Sequence, residues 1–206
     1  QGNAKPRVFR LHKEKAIVNH YGFNNDGMIK INRRLRKFSK KSVVGLNIGT
    51  NKNSLNMIND FKKVLDYCAE NAHFATLNVS SPNTKGLRKL QQDGKLRELL
   101  SSVSGSDKTL TTQIPIFLKI SPDLDYKQLE GIVALTHHYK LAGIIASNTS
   151  IDYKILGNEA SFSRGGVSGI PLFRKSTKIL AQLSIISEGK IPLIGVGGIS
   201  SGKDAF

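Results

Sequence analysis

A parallel α/β fold of the (β/α)-barrel kind is predicted by three features of this 206-residue chain. Short, near-continuously apolar runs alternate with amphipathic ones, as strands covered on both faces alternate with the helices that cover them. Polar residues or glycines stand at the carboxyl end of each apolar run, the face on which parallel α/β proteins build their sites. From one strand end to the next the interval is about 30 to 50 residues, which suits a barrel carrying insertions. An open doubly wound sheet fits less well, because no Gly-x-Gly-x-x-Gly follows the first strand, where a dinucleotide fold would need it.

The predicted strands are Val43 to Ile48, Phe74 to Val79, Ile114 to Ile120, Ala142 to Ser147 and Ile191 to Val196. Between them lie four helical patterns: Ser54 to Asn71, Gly94 to Val103, Tyr126 to Tyr139 and Arg174 to Glu188. The first places Leu55, Ile58, Phe61, Val64, Leu65 and Cys68 on one face. No linker divides the chain, so residues 1–206 read as one barrel domain. Ser101 to Gln113 is polar enough to be a loop. Ile151 to Ser168 is long, glycine-punctuated and without clear periodicity, the character of an active-site lid.

With 39% hydrophobic residues the chain can bury a substantial core. One cysteine, Cys68, excludes a disulfide framework and a cysteine-rich zinc site, and it reads as a small core residue on a helix. No apolar run approaches the roughly 18 residues needed to span a bilayer, and residues 1–10 lack the apolar segment of a signal peptide. Lys and Arg number 31 against 15 Asp and Glu, a formal charge of +16. Such a surface favours polyanions. The densest run is Arg33, Arg34, Arg36, Lys37, Lys40 and Lys41, but lysines are spread along the whole chain without interleaved aromatics, so a solvated basic surface is the favoured reading. His137 and His138 follow a helical run and are expected to pack or face solvent rather than bind metal, and no metal site is expected.

The most informative stretch runs from Asn78 to Arg88: Asn-Val-Ser-Ser-Pro-Asn-Thr-Lys-Gly-Leu-Arg. It begins as the end of an apolar strand and breaks into a polar, proline-locked turn. Two amides and two hydroxyls within six residues suit a small planar polar ligand, and a hydroxyl there is available for proton transfer. Other strand ends add Asn47, Lys119, Ser147 with Asn148, and Gly197 with Gly198. The last strand leads into Gly195-Val-Gly-Gly-Ile-Ser-Ser-Gly, where loop amides and a helix N-terminus suit a phosphate; plain turn geometry explains the glycines equally well. The cluster Gly165-Gly166-Val167-Ser168-Gly169 reads as a flexible loop of the same character.

The Asn78–Arg88 stretch resembles the signature of class 2, quinone-linked dihydroorotate dehydrogenases. The segments Lys5-Pro-Arg-Val-Phe-Arg-Leu, Asn19-His-Tyr-Gly-Phe-Asn-Asn, Gly45-Leu-Asn-Ile-Gly-Thr-Asn-Lys, Lys119-Ile-Ser-Pro-Asp-Leu, Gly165-Gly-Val-Ser-Gly-Ile-Pro-Leu and Gly195-Val-Gly-Gly-Ile-Ser-Ser-Gly are similar to family segments in family order. The resemblance implies an FMN-containing (β/α)8 TIM barrel that oxidises dihydroorotate to orotate in pyrimidine synthesis and passes the electrons to a quinone. By position, Ser81 resembles the general base that takes the C5 proton while a hydride leaves C6 for flavin N5. Lys119 resembles the lysine beside the flavin. Asn19, Asn78, Asn83 and Asn148, with Thr149, resemble the groups that grip the orotate ring and carboxylate. Asn47, Asn78 and Ser147 resemble flavin contacts, with Gly169, Gly197 and Gly198 along the flavin phosphate path. Position 147 is commonly threonine in the family, and serine keeps the hydroxyl. His20 is near Asn19 in sequence and is expected to be structural.

The same resemblance implies peripheral contact with the cytoplasmic side of the inner membrane if the protein is bacterial, and no nucleic-acid partner is expected. It also implies that this chain is an incomplete central portion of the barrel, about five strands of eight, inactive by itself. Family features outside it are a membrane-associating segment, a first-strand lysine and a last-strand Tyr-Ser pair. A tRNA-modifying flavin reductase is a rival that suits the charge, but its catalytic cysteine has no counterpart in Ser80-Ser81-Pro82. A non-catalytic polyanion-binding fragment is the second rival.

Overall fold

The computed structural model describes residues 2–38, 42–104, 114–157 and 164–206. All five predicted strands are present, as β3 (Gly45–Ile48), β4 (Phe74–Asn78), β5 (Ile116–Ile120), β6 (Gly143–Ala146) and β8 (Leu193–Gly195). They lie side by side in the order β3-β4-β5-β6-β8, every pair parallel. Helices follow as predicted: α2 (Met57–Cys68), α3 (Asp93–Ser104), α4 (Tyr126–His138) and α5 (Phe173–Ile186), with a one-turn α6 (Gly202–Ala205) at the end. Helix starts carry local signals. Asn56 accepts from the Asn59 amide at 3.0 Å to cap α2. Asp125 and Gln128 exchange side-chain-to-backbone bonds in a capping box on α4.

Side chains alternate across the sheet with period two. Leu46, Ile48, Ala75, Leu77, Leu118, Ile120 and Ile144 point outward and are buried against Phe61, Leu65, Leu96, Leu99, Leu100, Leu129, Ile132 and Leu183 of the helices. Cys68 is fully buried in the same layer, as expected. The opposite, inner face carries Gly45, Asn47, Thr76, Asn78, Phe117, Lys119, Gly143 and Ile145. At its amino-terminal end Phe74 and Phe117 meet edge-on with centroids 5.7 Å apart. Glycines make room for them: a Cβ on Gly45 would stand 2.1 Å from the Phe74 ring, and one on Gly143 would stand 2.4 Å from the Pro192 carbonyl and 3.1 Å from Phe117.

Three further strands were not foreseen. β1 (Val8–Leu11), β2 (Ala16–Asn19) and β7 (Gly166–Gly169) form an antiparallel sheet in the order β1-β2-β7 with its own small core of Ala16, Val18, Leu156 and Val167. The expectation that Ile151 to Ser168 is a loop throughout is therefore corrected. Its described part holds a 3-10 turn, Tyr153–Leu156, and the start of β7, and 158–163 lie outside the described residues. The glycine cluster expected to be a flexible loop is this paired strand. Of the polar segment Ser101 to Gln113, residues 101–104 end α3 and 105–113 lie outside the described residues. Of the basic run, Arg33, Arg34, Arg36 and Lys37 lie on α1 (Met28–Lys37), and Lys40 and Lys41 lie outside the described residues. Arg36 pairs with Glu70 at 3.3 Å, and Arg34 pairs with Asp26.

Gly143→Ala should lower stability by about 1–3 kcal/mol, because the added methyl overlaps backbone that cannot swing aside. A shift of the urea midpoint with unchanged slope measures it.

Candidate functional site

Five separate elements deliver the expected polar residues to one place. Asn19 ends β2, Asn47 lies on β3, Asn78 ends β4, Lys119 lies on β5, and Ser147 and Asn148 follow β6. A cavity of about 470 Å³ is lined by Asn19, Tyr21, Gly22, Phe23, Asn24, Asn78, Ser81, Asn83 and Asn148. It holds five of the predicted site residues.

Asn78 is the hub. Its Nδ2 donates to Asn47 Oδ1 at 3.1 Å, and its Oδ1 accepts from Asn148 Nδ2 at 3.2 Å and from Ser80 Oγ at 3.0 Å. Asn148 also donates to Ser80 Oγ at 2.9 Å and accepts from the Thr149 amide at 2.8 Å. Three strands are thus tied by side-chain amides rather than by backbone alone. Asn78 and Ser80 are buried, so deleting a partner leaves them desolvated and unmatched, at about 1–3 kcal/mol each.

A second chain of amides enters from the antiparallel sheet. Asn19 Nδ2 donates to Gly166 O at 3.4 Å, Asn83 Nδ2 donates to Asn19 Oδ1 at 3.0 Å, and His20 Nδ1 lies 3.1 Å from Asn83 Oδ1. With the Asn83 amino group turned to Asn19, its oxygen faces the His20 ring and accepts from it in the tautomer that carries the proton on Nδ1. His20, expected to be structural, therefore orients a site amide. Gly166 has no space for a side chain: a Cβ would stand 1.9 Å from Thr149 Oγ1 and 3.0 Å from Pro82. This close approach seats β7 against the turn carrying Ser81. Ser81 is 8% exposed and its Oγ accepts from the Asn83 amide at 3.3 Å, which leaves its own proton uncommitted.

Lys119 is half-buried and has no ion-pair partner among the described residues, and burial pulls its pKa below the ordinary lysine value. Ser147 is buried; its hydroxyl donates to Asn148 O at 3.0 Å and its amide to Val196 O at 2.8 Å. Gly169, Gly197 and Gly198 stand apart from the asparagine cluster: β7 leads into α5, and the turn after β8 packs against the first turn of that helix. A Cβ on Gly198 would stand 2.6 Å from the Phe173 amide, and Ser176 Oγ donates to Gly197 O at 2.7 Å. Close chain packing thus accounts for these glycines, and the N-terminus of α5 beside them carries no side-chain cap. His137 and His138 are exposed, and the described residues contain no cluster of metal-ligating side chains.

Sequence reasoning assigned no role to Arg88, Asp123 or Lys175, which lie beside this site. Arg88 pairs with Asp123 at 2.7 Å, and Lys175 pairs with Asp123 at 2.7 Å and Asp152 at 3.1 Å. Burial pushes the Asp123 carboxyl up, but hydrogen bonds from Lys175, Ser150, the Ile151 amide and Arg88 outweigh it and hold the pKa below the ordinary value. The partners are 27 to 52 residues from Asp123 in sequence, so no local motif announces the cluster.

Together these features define a parallel β/α-barrel protein whose candidate site, a cavity lined by carboxamides, lies at the carboxyl ends of its strands. Residues 1–206 match the dihydroorotate dehydrogenase family, and the chain belongs to it. It is 45% identical over 206 residues to the dihydroorotate dehydrogenase (quinone) of Cereibacter sphaeroides, covering 100% of this chain and 58% of that protein. Identity to the Mesorhizobium japonicum protein of the same name is 43% over 207 residues, again 100% of this chain and 58% of the relative. A crystal structure of the Eimeria tenella DHODH in complex with ferulenol superposes with a TM-score of 0.89 at 33% identity, covering 99% of this chain and 61% of that one. The resemblance read from the motifs therefore extends over the whole chain, which spans 58% of the length of these curated relatives. The parallel sheet is consistent with a part of their barrel.

The depressed pKa of Lys119 fixes the sign of its effect on stability. The unfolded chain binds its proton more tightly than the folded one, so the group is a cost at pH 7 and the cost fades as pH rises toward 10.5. Lys119→Met should raise the thermal midpoint of the ligand-free protein at pH 7, and the gain should vanish near pH 10.5.

Proposed function

We propose that this chain carries the reacting half of an enzyme that oxidises dihydroorotate to orotate and passes the electrons to a quinone. The observation that carries this reading is the convergence of Asn19, Asn78, Ser81, Asn83 and Asn148 on one cavity. Dihydroorotate is a small ring bearing both donors and acceptors plus a carboxylate, and carboxamides supply the complementary pairs. The name borne by the Cereibacter and Mesorhizobium relatives supports the substrate and the quinone acceptor.

FMN is the proposed cofactor, and the residues fit it. A half-buried lysine lacking an anionic partner suits a group that becomes anionic, and Asn47 and Asn78 present amides on the same inner face. Lys119, Asn47, Asn78 and Ser147 would hold the flavin ring, and Gly169, Gly197, Gly198 and the α5 N-terminus would hold its phosphate. Bound FMN supplies the acceptor for the two electrons that leave with the C6 hydrogen.

The chain's own residues perform the rest. Asn19, Asn78, Asn83 and Asn148, with Thr149, fix the ring so that C5 faces Ser81. Ser81 Oγ takes the C5 proton and releases its own hydroxyl proton to solvent. A free serine hydroxyl is a weak base, so its placement in the cavity wall beside the amides that hold the ring carries the step. Residues 1–206 are proposed to form one FMN-binding barrel domain. Among the described residues no helix is long and apolar enough to cross a membrane; peripheral contact on the cytoplasmic face belongs to the proposal and rests on the family resemblance.

In the chain extended at both ends to the length of its relatives, the flavin absorbance should bleach when dihydroorotate is added anaerobically. Ser81→Ala should keep the flavin but slow the bleaching by a factor on the order of 10² or more. Flavin that never responds to dihydroorotate would sink the reading.

A further inference from the structure

Two strand ends that carry different parts of the site are joined from behind by one side chain, and we propose that Arg88 is a positioning residue for proton removal by Ser81. This rests on the reading of the site given above. Arg88 Nε donates to Ser80 O at 2.9 Å, and Nη2 donates to Thr149 O at 2.7 Å. The third contact, Nη1 to Asp123 Oδ2 at 2.7 Å, supplies the counter-charge. Arg88 and Asp123 are 19% and 16% exposed, so these bonds are little diluted by water.

An arginine whose task is only to pair with a carboxylate presents two parallel N–H groups to it. Arg88 gives Asp123 one and spends the other two on main-chain carbonyls that leave different strands. Ser80 O belongs to the peptide unit leading into Ser81, so the bond fixes the plane from which the Ser81 side chain projects. Thr149 O belongs to the segment that carries Asn148. That segment is fastened a second time through Asp123, which accepts from Ser150 Oγ at 2.5 Å and from the Ile151 amide at 2.9 Å. Lys175 then holds Asp123 and Asp152 from α5. Inside the cavity, Asn148 spans the same two strand ends through Ser80 Oγ and Asn78 Oδ1. Ser81 Oγ itself has one described bond, 3.3 Å long, so its position follows its backbone.

Lysine at this position keeps a cation for Asp123 but has no planar fork to span two carbonyls. The test compares wild type and Arg88→Lys in the extended, FMN-loaded protein. Three quantities are read: the anaerobic rate of flavin bleaching by dihydroorotate, the effect on that rate of deuterium at C5, and orotate affinity by calorimetry. Arg88→Lys should hold FMN and bind orotate with little change, yet bleach about 10- to 100-fold more slowly, as a displacement of about 1 Å at a reacting group does. The C5 deuterium effect should grow, because proton removal becomes more rate-limiting. An unchanged rate with an unchanged isotope effect would overturn the proposal. Loss of FMN or of cooperative unfolding in Arg88→Lys would overturn it too, by making Arg88 a fold support. A wild-type protein that dihydroorotate cannot bleach strikes the functional reading itself, a result distinct from either.

Discussion

The pleat of the parallel sheet is the constraint on which the rest depends. Because side chains alternate strictly, one set of strands can bury Leu46, Ile48, Leu77, Leu118 and Ile120 against helices and present Asn47, Asn78 and Lys119 to the inner face. A slip of one residue would reverse both sets at once, placing Lys119 in the apolar layer and Leu118 in the site. The large apolar burial on the outer face therefore fixes the register of the polar residues on the inner one. At its other end the inner face is filled by Phe74 and Phe117 over glycines, which leaves the carboxyl end for chemistry.

On this frame the small antiparallel sheet works as a cover. β2 brings Asn19, the loop after it brings Tyr21 to Asn24, and β7 brings Gly166 beneath Thr149. The cover is joined to the barrel by Asn83, which reaches Asn19 and His20, and by the Ser150–Val167 bridge, whose backbone bonds are 3.1 and 2.8 Å. The site therefore belongs to neither sheet alone. Its amides are held by one another.

The parallel sheet was legible because each strand is a dense apolar run bounded by polar turns, and the helices because of their 3.6-residue periodicity and caps such as Asn56 and Asp125. The antiparallel sheet was not. β1 and β2 form a hairpin with no amphipathic helix between them, outside the alternation that marked the parallel strands, and β7 reads Gly-Val-Ser-Gly, poor in strand-forming side chains and held in place by pairing with β2. Ser81 and the asparagines were visible as a local motif and as strand-end residues. Arg88 was visible as a residue but not as a role, since the groups it binds lie 8, 35 and 61 residues away. The contact of His20 with Asn83, 63 residues distant, was not visible either.

The central claim is that these amides and Ser81 form one substrate site, and a crystal structure of the extended protein with orotate tests it most directly. The account predicts density for the orotate ring among Asn19, Asn78, Asn83 and Asn148, with Ser81 Oγ within about 3–3.5 Å of C5. Orotate bound elsewhere, or Ser81 turned away from C5 with the ring in place, would contradict it.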